Sequence, residues 1–272
     1  MQKLKTRPSE VISSLVRNRE LLIALTKREI IGKYKGSLLG VLWSFLTPVF
    51  MLLVYTFVFS VVFKARWSGG SDSKSEFALI LFAGLLVFNL FSECISRAPN
   101  LVLLNSNYVK KIVFPLEILP WVILGAATFH LMVSLLVWLI FYVILFGTPH
   151  ATVLLFPLVL LPLILFSAGL SWWLSSLGVY WRDVGQFIGV IITALMFLSP
   201  IFYPVTSLPK AFQTVVYLNP LSIVIEQTRE ILFWGRIPNI IQWVAFLLGS
   251  SIIAWLGFIW FQKTRKGFAD VL

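Results

Sequence analysis

Residues 168–203, AGLSWWLSSLGVYWRDVGQFIGVIITALMFLSPIFY, decide the fold class of this chain. Two apolar runs meet there at one charged pair, Arg182-Asp183, which follows two aromatic residues. Because charges are costly in hydrocarbon and amphipathic rings settle at headgroup level, the pair predicts a tight turn at a bilayer surface. The second run reaches Ser199-Pro200, where a straight helix cannot easily continue. The stretch therefore predicts a transmembrane hairpin whose second helix breaks near the opposite membrane face.

The composition of the whole chain is that of a membrane protein. Of its 272 residues, 59% are hydrophobic and 12% are charged, whereas a soluble domain carries roughly 25% charged residues. The single cysteine, Cys94, excludes an internal disulfide and a cysteine-based metal site, and His130 and His150 lack zinc-ligand spacing. We expect no cofactor bound by this chain. The net charge of +11 would suggest a nucleic-acid partner in a soluble protein, but in a membrane protein its distribution between the two sides matters more.

Six apolar runs approach the ~20 residues that span ~30 Å of hydrocarbon. They lie at 39–63, 77–96, 121–146, 153–178, 185–203 and 239–261. With these spans, 16 of the 22 Lys and Arg residues fall on the side that holds both termini. The positive-inside rule makes that side cytoplasmic. The sequence therefore predicts an all-α integral membrane protein with six transmembrane helices and two cytoplasmic termini.

Three segments outside the spans are long enough to have structure of their own. Residues 1–38 form a basic arm whose apolar and basic mix suits a helix in the membrane interface, although a flank that only sets topology fits equally well. Within residues 97–120, helical spacing of apolar residues predicts a short cytoplasmic helix at about 98–114. The external residues 204–238 mix apolar and charged side chains with three prolines, which predicts one or two short re-entrant helices.

The spans contain only two ionisable side chains of note, Glu93 and His130. We expect Glu93 to pair with Arg97, one helical turn further on, and His130 to be a hydrogen-bonded packing residue. Ion-coupled carriers place carboxylates or broken helices of internal repeats at the midplane, and neither pattern is visible here. The chain therefore has no obvious means of using an ion gradient.

The sequence also lacks a nucleotide-binding motif. Its nearest approach to a P-loop is Gly32-Lys33, where Tyr34 replaces the Ser or Thr that would hold magnesium and Lys27 replaces the first glycine. If this protein moves a substrate uphill, another polypeptide supplies the energy. The arm and residues 97–120 are the surfaces large enough to receive that partner.

Four motifs in order resemble the ABC-2 membrane subunits that export polysaccharides. They are REIIGKYKGSLLGVLWSFLTPVF (28–50), NSNYVKKIVFPLEILP (105–120), GVYWRDVGQFIGVIITALMFLSPIFYP (178–204) and YLNPLSIVIEQTRE (217–230). The similarity covers nearly the whole chain and is clearest to O-antigen permeases, followed by those for teichoic acid and capsule.

The resemblance implies an ABC-2 (type V-like) exporter fold in the inner membrane. A homodimer of six-helix subunits would pair with two ABC ATPase subunits, which would bind the ATP and magnesium. An N-terminal amphipathic interface helix, a coupling helix between the second and third spans, and gate helices after the fifth span would complete each subunit. The substrate would be a polyprenyl-diphosphate-linked glycan.

Aromatic side chains are the candidates for lining a polysaccharide path. Sugar rings present flat C–H faces, and a sliding polymer needs sequence-tolerant stacking contacts of the kind that single-stranded nucleic acids use. In the first span Trp43, Phe50 and Phe57 repeat every seven residues and share roughly one face. Packing between helices or against lipid is the alternative role for these rings. The predicted channel-lining set is Trp43, Phe50, Phe57, Trp172, Trp173, Phe197, Phe202 and Tyr203.

The cytoplasmic side supplies two further sets of candidates. A lipid diphosphate needs cationic donors at the membrane rim, which Arg28, Lys33 and Lys35 could provide, although they could equally serve only the positive-inside rule. The residues expected to contact the ATPase are Asn105, Tyr108, Lys110, Lys111, Arg182 and Asp183.

Three other functions compete with polysaccharide export. An ABC-2 exporter of small lipophilic compounds would need fewer aromatic residues and no lipid-diphosphate site. A membrane enzyme acting on lipid-linked sugars would need paired carboxylates or metal ligands, and Asp183 and Glu117 alone do not form a pair. A structural membrane scaffold would leave the long external segment unexplained.

Overall fold

The structure, a computed structural model, describes residues 7–62, 74–109 and 114–272, and all the secondary structure within these ranges is helical. The α-helices are α1 (Pro8–Arg17), α2 (Arg19–Lys33), α3 (Trp43–Tyr55, continued by a π-helix at Thr56–Val62), α4 (Lys74–Arg97), α5 (Leu101–Leu104), α6 (Ser106–Val109), α7 (Leu119–Phe146), α8 (Phe156–Tyr180), α9 (Val184–Leu198), α10 (Lys210–Leu218), α11 (Pro220–Leu232), α12 (Ile240–Thr264) and α13 (Phe268–Val271). Short 3₁₀ helices lie at Gly40–Leu42, Ala98–Asn100, Leu116–Ile118, Ala151–Leu155, Val205–Ser207 and Arg265–Gly267.

Five of the six expected spans are long and apolar enough in the described ranges to cross a membrane. They are Gly40–Phe59, Ser75–Leu104, Leu116–Phe146, Ala151–Tyr180 and Ile240–Val271. The remaining one, α9, is apolar but has only 15 residues, about 22 Å at 1.5 Å per residue, against ~30 Å of hydrocarbon. Helix α9 is short because it ends at Leu198, just before Ser199-Pro200, where the sequence predicted a break. By length, the described residues therefore contain five spans rather than six.

Helix α4 is the centre of the bundle. In its most apolar stretch 83% of the residues are buried, a far larger share than in the other four spans. It packs against α7, α8, α9 and α11. The indole nitrogen of Trp138 in α7 donates to the Leu79 carbonyl of α4 at 2.9 Å, which gives a buried polar group its partner inside the bundle.

Helices α8 and α12 make the most extensive contact in the molecule. A β-carbon at Gly169 would lie 2.7 Å from the Ile253 carbonyl oxygen, so only glycine permits this approach. The ridge of Ser167, Ser171 and Ser175 on α8 is also buried, as expected for small residues that let helices pack closely.

The arm consists of α1 and α2, with a turn at Asn18. Leu25 of α2 packs on Ile118 and Val122 at the start of α7. Ser14 of α1 donates to Glu117 at 3.2 Å, and Glu117 also pairs with Arg265 near the C-terminus at 2.9 Å. Glu117 therefore joins the two terminal regions of the chain.

Helix α4 separates two ends of the bundle, which we name by the helices that reach them. The α2 end contains Glu93 of α4, and the α11 end contains Ile80. These residues are 13 positions apart, about 20 Å along the helix.

Candidate functional site

A cavity of about 810 Å³ lies between α2, α3, α4 and α7 at the α2 end. Its walls combine charged and polar side chains with apolar and aromatic ones, as a site for an amphipathic guest would. The polar lining includes Glu29, Lys33, Tyr34, Asn89, Glu93, Arg97 and His130, and the apolar lining includes Met51, Tyr55, Phe82 and Leu86.

Glu93 lies at the centre of the charged part of this cavity. One carboxylate oxygen is 3.1 Å from Lys33 Nζ and the other is 2.9 Å from His130 Nδ1. When Glu93 is ionised this bond needs the proton on Nδ1, because a carboxylate without a proton only accepts hydrogen bonds. Arg97 lies 3.7 Å from the first oxygen, so the predicted pair of Glu93 with Arg97 is confirmed. Lys33 and His130 were not predicted as its partners.

A second ion pair fixes α2 on α4 beside this cluster. Arg97 bonds to Glu29, one turn before Lys33 on α2. The ring of Tyr34 packs edge-on against His130, with centroids 6.1 Å apart. Burial, and next the charge of Glu93, raise the pKa of the Tyr34 phenol, which keeps its hydroxyl protonated. The cavity wall is therefore held by salt bridges from α2 to the central helix.

The three lipid-diphosphate candidates do not converge on one point. Lys33 lines the cavity, whereas Arg28 points away from it and donates to the Tyr108 hydroxyl at 2.7 Å. Lys35 is exposed in the turn that follows α2. Of the three, only Lys33 lies where a guest in the cavity could meet it.

Residues 98–114, the predicted coupling helix, form a broken structure over their described part. A 3₁₀ turn leads into α5 and α6, which a turn at Asn105 separates, and the Asn105 side chain donates to the Leu101 carbonyl at 2.9 Å. Lys110 and Lys111 lie outside the described residues. Tyr108 stacks on Phe114 with ring centroids 4.1 Å apart. The bond from Arg28 to Tyr108 joins this segment to the arm.

The hairpin corner at Arg182-Asp183 lies beside the same segment. Both residues are exposed in the turn between α8 and α9. A β-carbon on Gly185, in the first turn of α9, would be 3.4 Å from the Asn100 side chain. The structure therefore brings the corner and the 98–109 segment, both predicted to contact an ATPase, to one surface.

The predicted channel aromatics divide into an exposed and a packed group. Trp43 and Phe50 of α3 and Phe57 of the π-helix that continues it are 39%, 53% and 60% exposed. Phe197 of α9 is exposed as well, and the partly buried Phe202 ring packs 5.8 Å from it.

Aromatic contacts at the α11 end bring α3 close to the end of α9. Phe59 stacks on Phe202 with ring centroids 5.2 Å apart. The partly buried Tyr203 donates its hydroxyl to the Phe197 carbonyl at 3.1 Å. The exposed stripe of α3 therefore runs toward the point where α9 breaks.

Trp172 and Trp173 of α8 do not belong to the exposed group. Trp172 is fully buried, and its indole nitrogen donates to the Glu117 carbonyl at 3.0 Å. Trp173 stacks on Trp260 of α12, with centroids 5.1 Å apart and nearly parallel planes. Both rings pack α8 onto its neighbours in the single chain, and their place along a polymer path stays a prediction.

Comparison with known proteins identifies the family. The profile of the ABC-2 type transporter family matches residues 20–233. The chain belongs to the ABC-2 type transporter family. The resemblance drawn from the four motifs is therefore confirmed, and this ABC-2 protein is a multi-pass membrane permease.

Relatives of this ABC-2 protein are named for O-antigen export and for polysialic acid transport. It is 27% identical over 262 residues to the O-antigen export system permease protein RfbA of Myxococcus xanthus, covering 96% of this chain and 98% of the relative. An RfbA of Klebsiella pneumoniae is 25% identical over 255 residues, 93% and 95% of the two chains. The polysialic acid transport protein KpsM of Escherichia coli is 26% identical over 223 residues, 79% and 82% of the two chains.

Proposed function

We propose that this ABC-2 protein is the membrane subunit of an exporter that moves polyprenyl-diphosphate-linked O-antigen across the inner membrane. The observation that carries the proposal is the end-to-end match to permeases named for O-antigen export, over 96% of this chain. Two copies would pair with two ABC ATPase subunits, which bind ATP and magnesium. Both termini would be cytoplasmic, with the short α9 and the residues that follow its break together making the sixth crossing.

The α2 end would receive the ATPase. The exposed residues of the 98–109 segment and the Arg182-Asp183 corner lie at one surface there, and Arg28 connects that surface to α2 through Tyr108. From α2, Glu29 and Lys33 reach the central helix at Arg97 and Glu93. A displacement of the 98–109 segment by the ATPase would therefore be transmitted to the cavity wall through direct side-chain contacts.

The cavity at the α2 end would admit the lipid-linked end of the substrate. A diphosphate needs cationic hydrogen-bond donors, and Lys33 and Arg97 stand on the cavity wall. The lipid part needs apolar surface, which Met51, Phe82 and Leu86 supply in the same cavity. A bound diphosphate would compete with Glu93 for Lys33.

The exposed face of α3 would form the polymer path in the dimer. Trp43, Phe50 and Phe57 extend along it toward Phe197 and the broken end of α9. Each stacked ring would hold a sugar by ~1 kcal/mol, the low end of base stacking, which guides a chain without trapping it. Helices α10 and α11 would close the outer end.

Deletion of the gene in its native host tests the proposal. We expect loss of surface O-antigen and accumulation of the lipid-linked polymer on the cytoplasmic face, both restored by the wild-type chain. Deletion of the ATPase gene serves as the matched control and should give the same accumulation. Normal surface O-antigen in the deletion strain would refute the proposal.

A capsular polysaccharide is the second candidate substrate. The match to KpsM, a protein named for polysialic acid transport, favours it, but that match covers a smaller share of this chain. Loss of capsule with intact O-antigen in the same deletion strain would select this alternative.

A further inference from the structure

Arg229 of α11 is fully buried, and its guanidinium joins three segments of the chain. Its Nε donates to the Ile80 carbonyl of α4 at 3.1 Å, Nη1 to the Pro200 carbonyl at 2.6 Å, and Nη2 to the Ile201 carbonyl at 2.8 Å. Nη1 also donates to Glu226, one turn earlier on α11, at 2.9 Å. A guanidinium presents five donors in a rigid fork, so these contacts also fix the relative positions of the segments.

Two of the three carbonyls that Arg229 binds, those of Pro200 and Ile201, follow the break in α9. Helix α9 ends at Leu198, and carbonyl groups beyond a helix end have no helical N–H to accept from. Glycine at position 84 makes room for the guanidinium, since a β-carbon there would lie 2.9 Å from Nη2. The proline break and this glycine together create the place that Arg229 fills.

A second contact joins the end of α9 to the start of α11. The Asn219 side-chain nitrogen donates to Ser199 Oγ at 2.9 Å, while its oxygen accepts from the Leu221 amide and so caps α11. Residues 199 and 219 are therefore bound to each other. They form the base of an excursion of the chain, residues 200–218, that contains α10.

Helix α10 is the part of this excursion with the least burial. Only Val216 of its nine residues is buried, whereas α11 buries nine of its 13. The base of the excursion is buried at Ile201 and Val205. Four large apolar residues of α10 are exposed, namely Phe212, Val215, Tyr217 and Leu218.

We propose that Arg229 clamps α11 and the end of α9 to α4 throughout transport, so that opening at the α11 end is confined to α10. Releasing the clamp would leave a guanidinium and several carbonyls buried without partners, which is strongly unfavourable. Moving α10 would disturb one buried side chain. Arg229 is thus a positioning residue, and the inference rests on the proposed function, which requires this end to open.

The pair Ser199→Cys and Asn219→Cys tests the clamp, in the transporter reconstituted with its ATPase. The native Cys94 is buried and does not interfere. We expect oxidant-driven disulfide formation at the same rate, within about twofold, without nucleotide and during ATP hydrolysis. A slowing of about tenfold during hydrolysis would mean that the base is open for most of the cycle, and would overturn the proposal.

A cysteine at Val215 of α10 provides the second half of this experiment. We expect its reaction rate with a water-soluble maleimide to change by about fivefold or more on ATP hydrolysis, because a shift of that size marks a change of dominant state. An unchanged rate at Val215 would refute the assignment of the movement to α10.

Substitution of Arg229 tests the residue itself. Without nucleotide, Arg229→Met should slow formation of the 199–219 disulfide, whereas Arg236→Met should not, because Arg236 is 69% exposed and lies 3.7 Å from its partner Glu230. If Arg229→Met fails to fold, Gly84→Ala presses a methyl group against Nη2, and Gly189→Ala, with open space around it, is its control. Unchanged disulfide formation in Gly84→Ala would then overturn the clamp.

These rates do not depend on the cargo. Failure of the proposed function would appear separately, as intact surface polysaccharide in the deletion strain. The comparison of Arg229 variants needs no nucleotide, so it decides the clamp even if the chain exports another substrate.

Discussion

At Glu93, basic side chains from three parts of the sequence converge on one carboxylate. Lys33 precedes it by 60 positions, His130 follows it by 37, and Arg97 lies one turn away on the same helix. Only the local pair with Arg97 could be predicted, because helical spacing alone places those two residues side by side. The other two contacts depend on how α2 and α7 pack on α4, and the sequence pattern contains no information about that packing.

We expect Glu93→Gln to weaken both stability and export. Removal of the charge weakens the ion pairs with Lys33 and Arg97, while Arg97 keeps its pair with Glu29, at a cost of about 1 kcal/mol. The midpoint of thermal unfolding of the purified protein should fall by about 4 °C, and export should slow. The matched control is Glu20→Gln, an exposed carboxylate on α2 whose loss should change neither.

A double-mutant cycle separates this contact from general damage. The double variant Lys33→Gln with Glu93→Gln should lose less unfolding free energy than the two single variants lose together, because each single substitution already removes the same bond. Strictly additive effects would show that the two residues do not interact in the folded protein.

At the scale of elements, hydropathy located every span that the structure describes, but it overestimated the length of α9. The 20-residue length requirement acts on local sequence, so apolar runs locate helices well. The break at Ser199-Pro200 was also predictable, because proline acts locally. The 98–109 segment shows the limit: spacing predicted a helix there, but the Asn105 side chain bonds back to Leu101 and divides it into two short turns.

Replacement of Tyr108 by Asp tests whether this segment couples the ATPase to the permease. The change removes both the hydrogen bond to Arg28 and the stacking contact with Phe114. A displacement of the 98–109 segment would then no longer be transmitted to α2. We expect export to fall by about tenfold or more, equivalent to at least ~1.4 kcal/mol of coupling, while ATP hydrolysis continues. Both activities would be measured on the reconstituted transporter.

Two controls accompany this variant. Asn107→Asp adds the same charge at an exposed position of the same helix and should change export little. Tyr108→Phe keeps the ring and loses only the hydroxyl, so its effect should be intermediate. Normal export by Tyr108→Asp would contradict a coupling role for α6.

At the scale of the whole molecule, the sequence could not show which apolar faces are buried. In a membrane protein, lipid and the protein core are both apolar, so the hydrophobic pattern does not separate an outer face from an inner one. Trp172 and Trp173 lie in packed interfaces, while Phe50 and Phe57 are exposed on α3, although all four belong to similar apolar runs. The central position of α4 was hidden for the same reason.

The exposed face of α3 leads to the last prediction, which concerns the polymer path. Phe50 and Phe57 contribute little to the packing of the single chain, because more than half of each is exposed. We therefore expect Phe50→Ala with Phe57→Ala to leave assembly and ATP hydrolysis nearly intact while export slows, since two stacked contacts of ~1 kcal/mol each are lost. The control pair is Leu248→Ala with Ile252→Ala on the exposed face of α12, which should export normally.

Thiol chemistry distinguishes a channel from a lipid-facing surface. Cysteines at positions 50 and 57 should react with water-soluble reagents during ATP hydrolysis, because a polymer path is hydrated, whereas a cysteine at position 248 should stay protected by lipid. If position 248 reacts while 50 and 57 do not, the aromatic stripe faces lipid or a packed interface. The polymer would then have to follow another surface of the dimer.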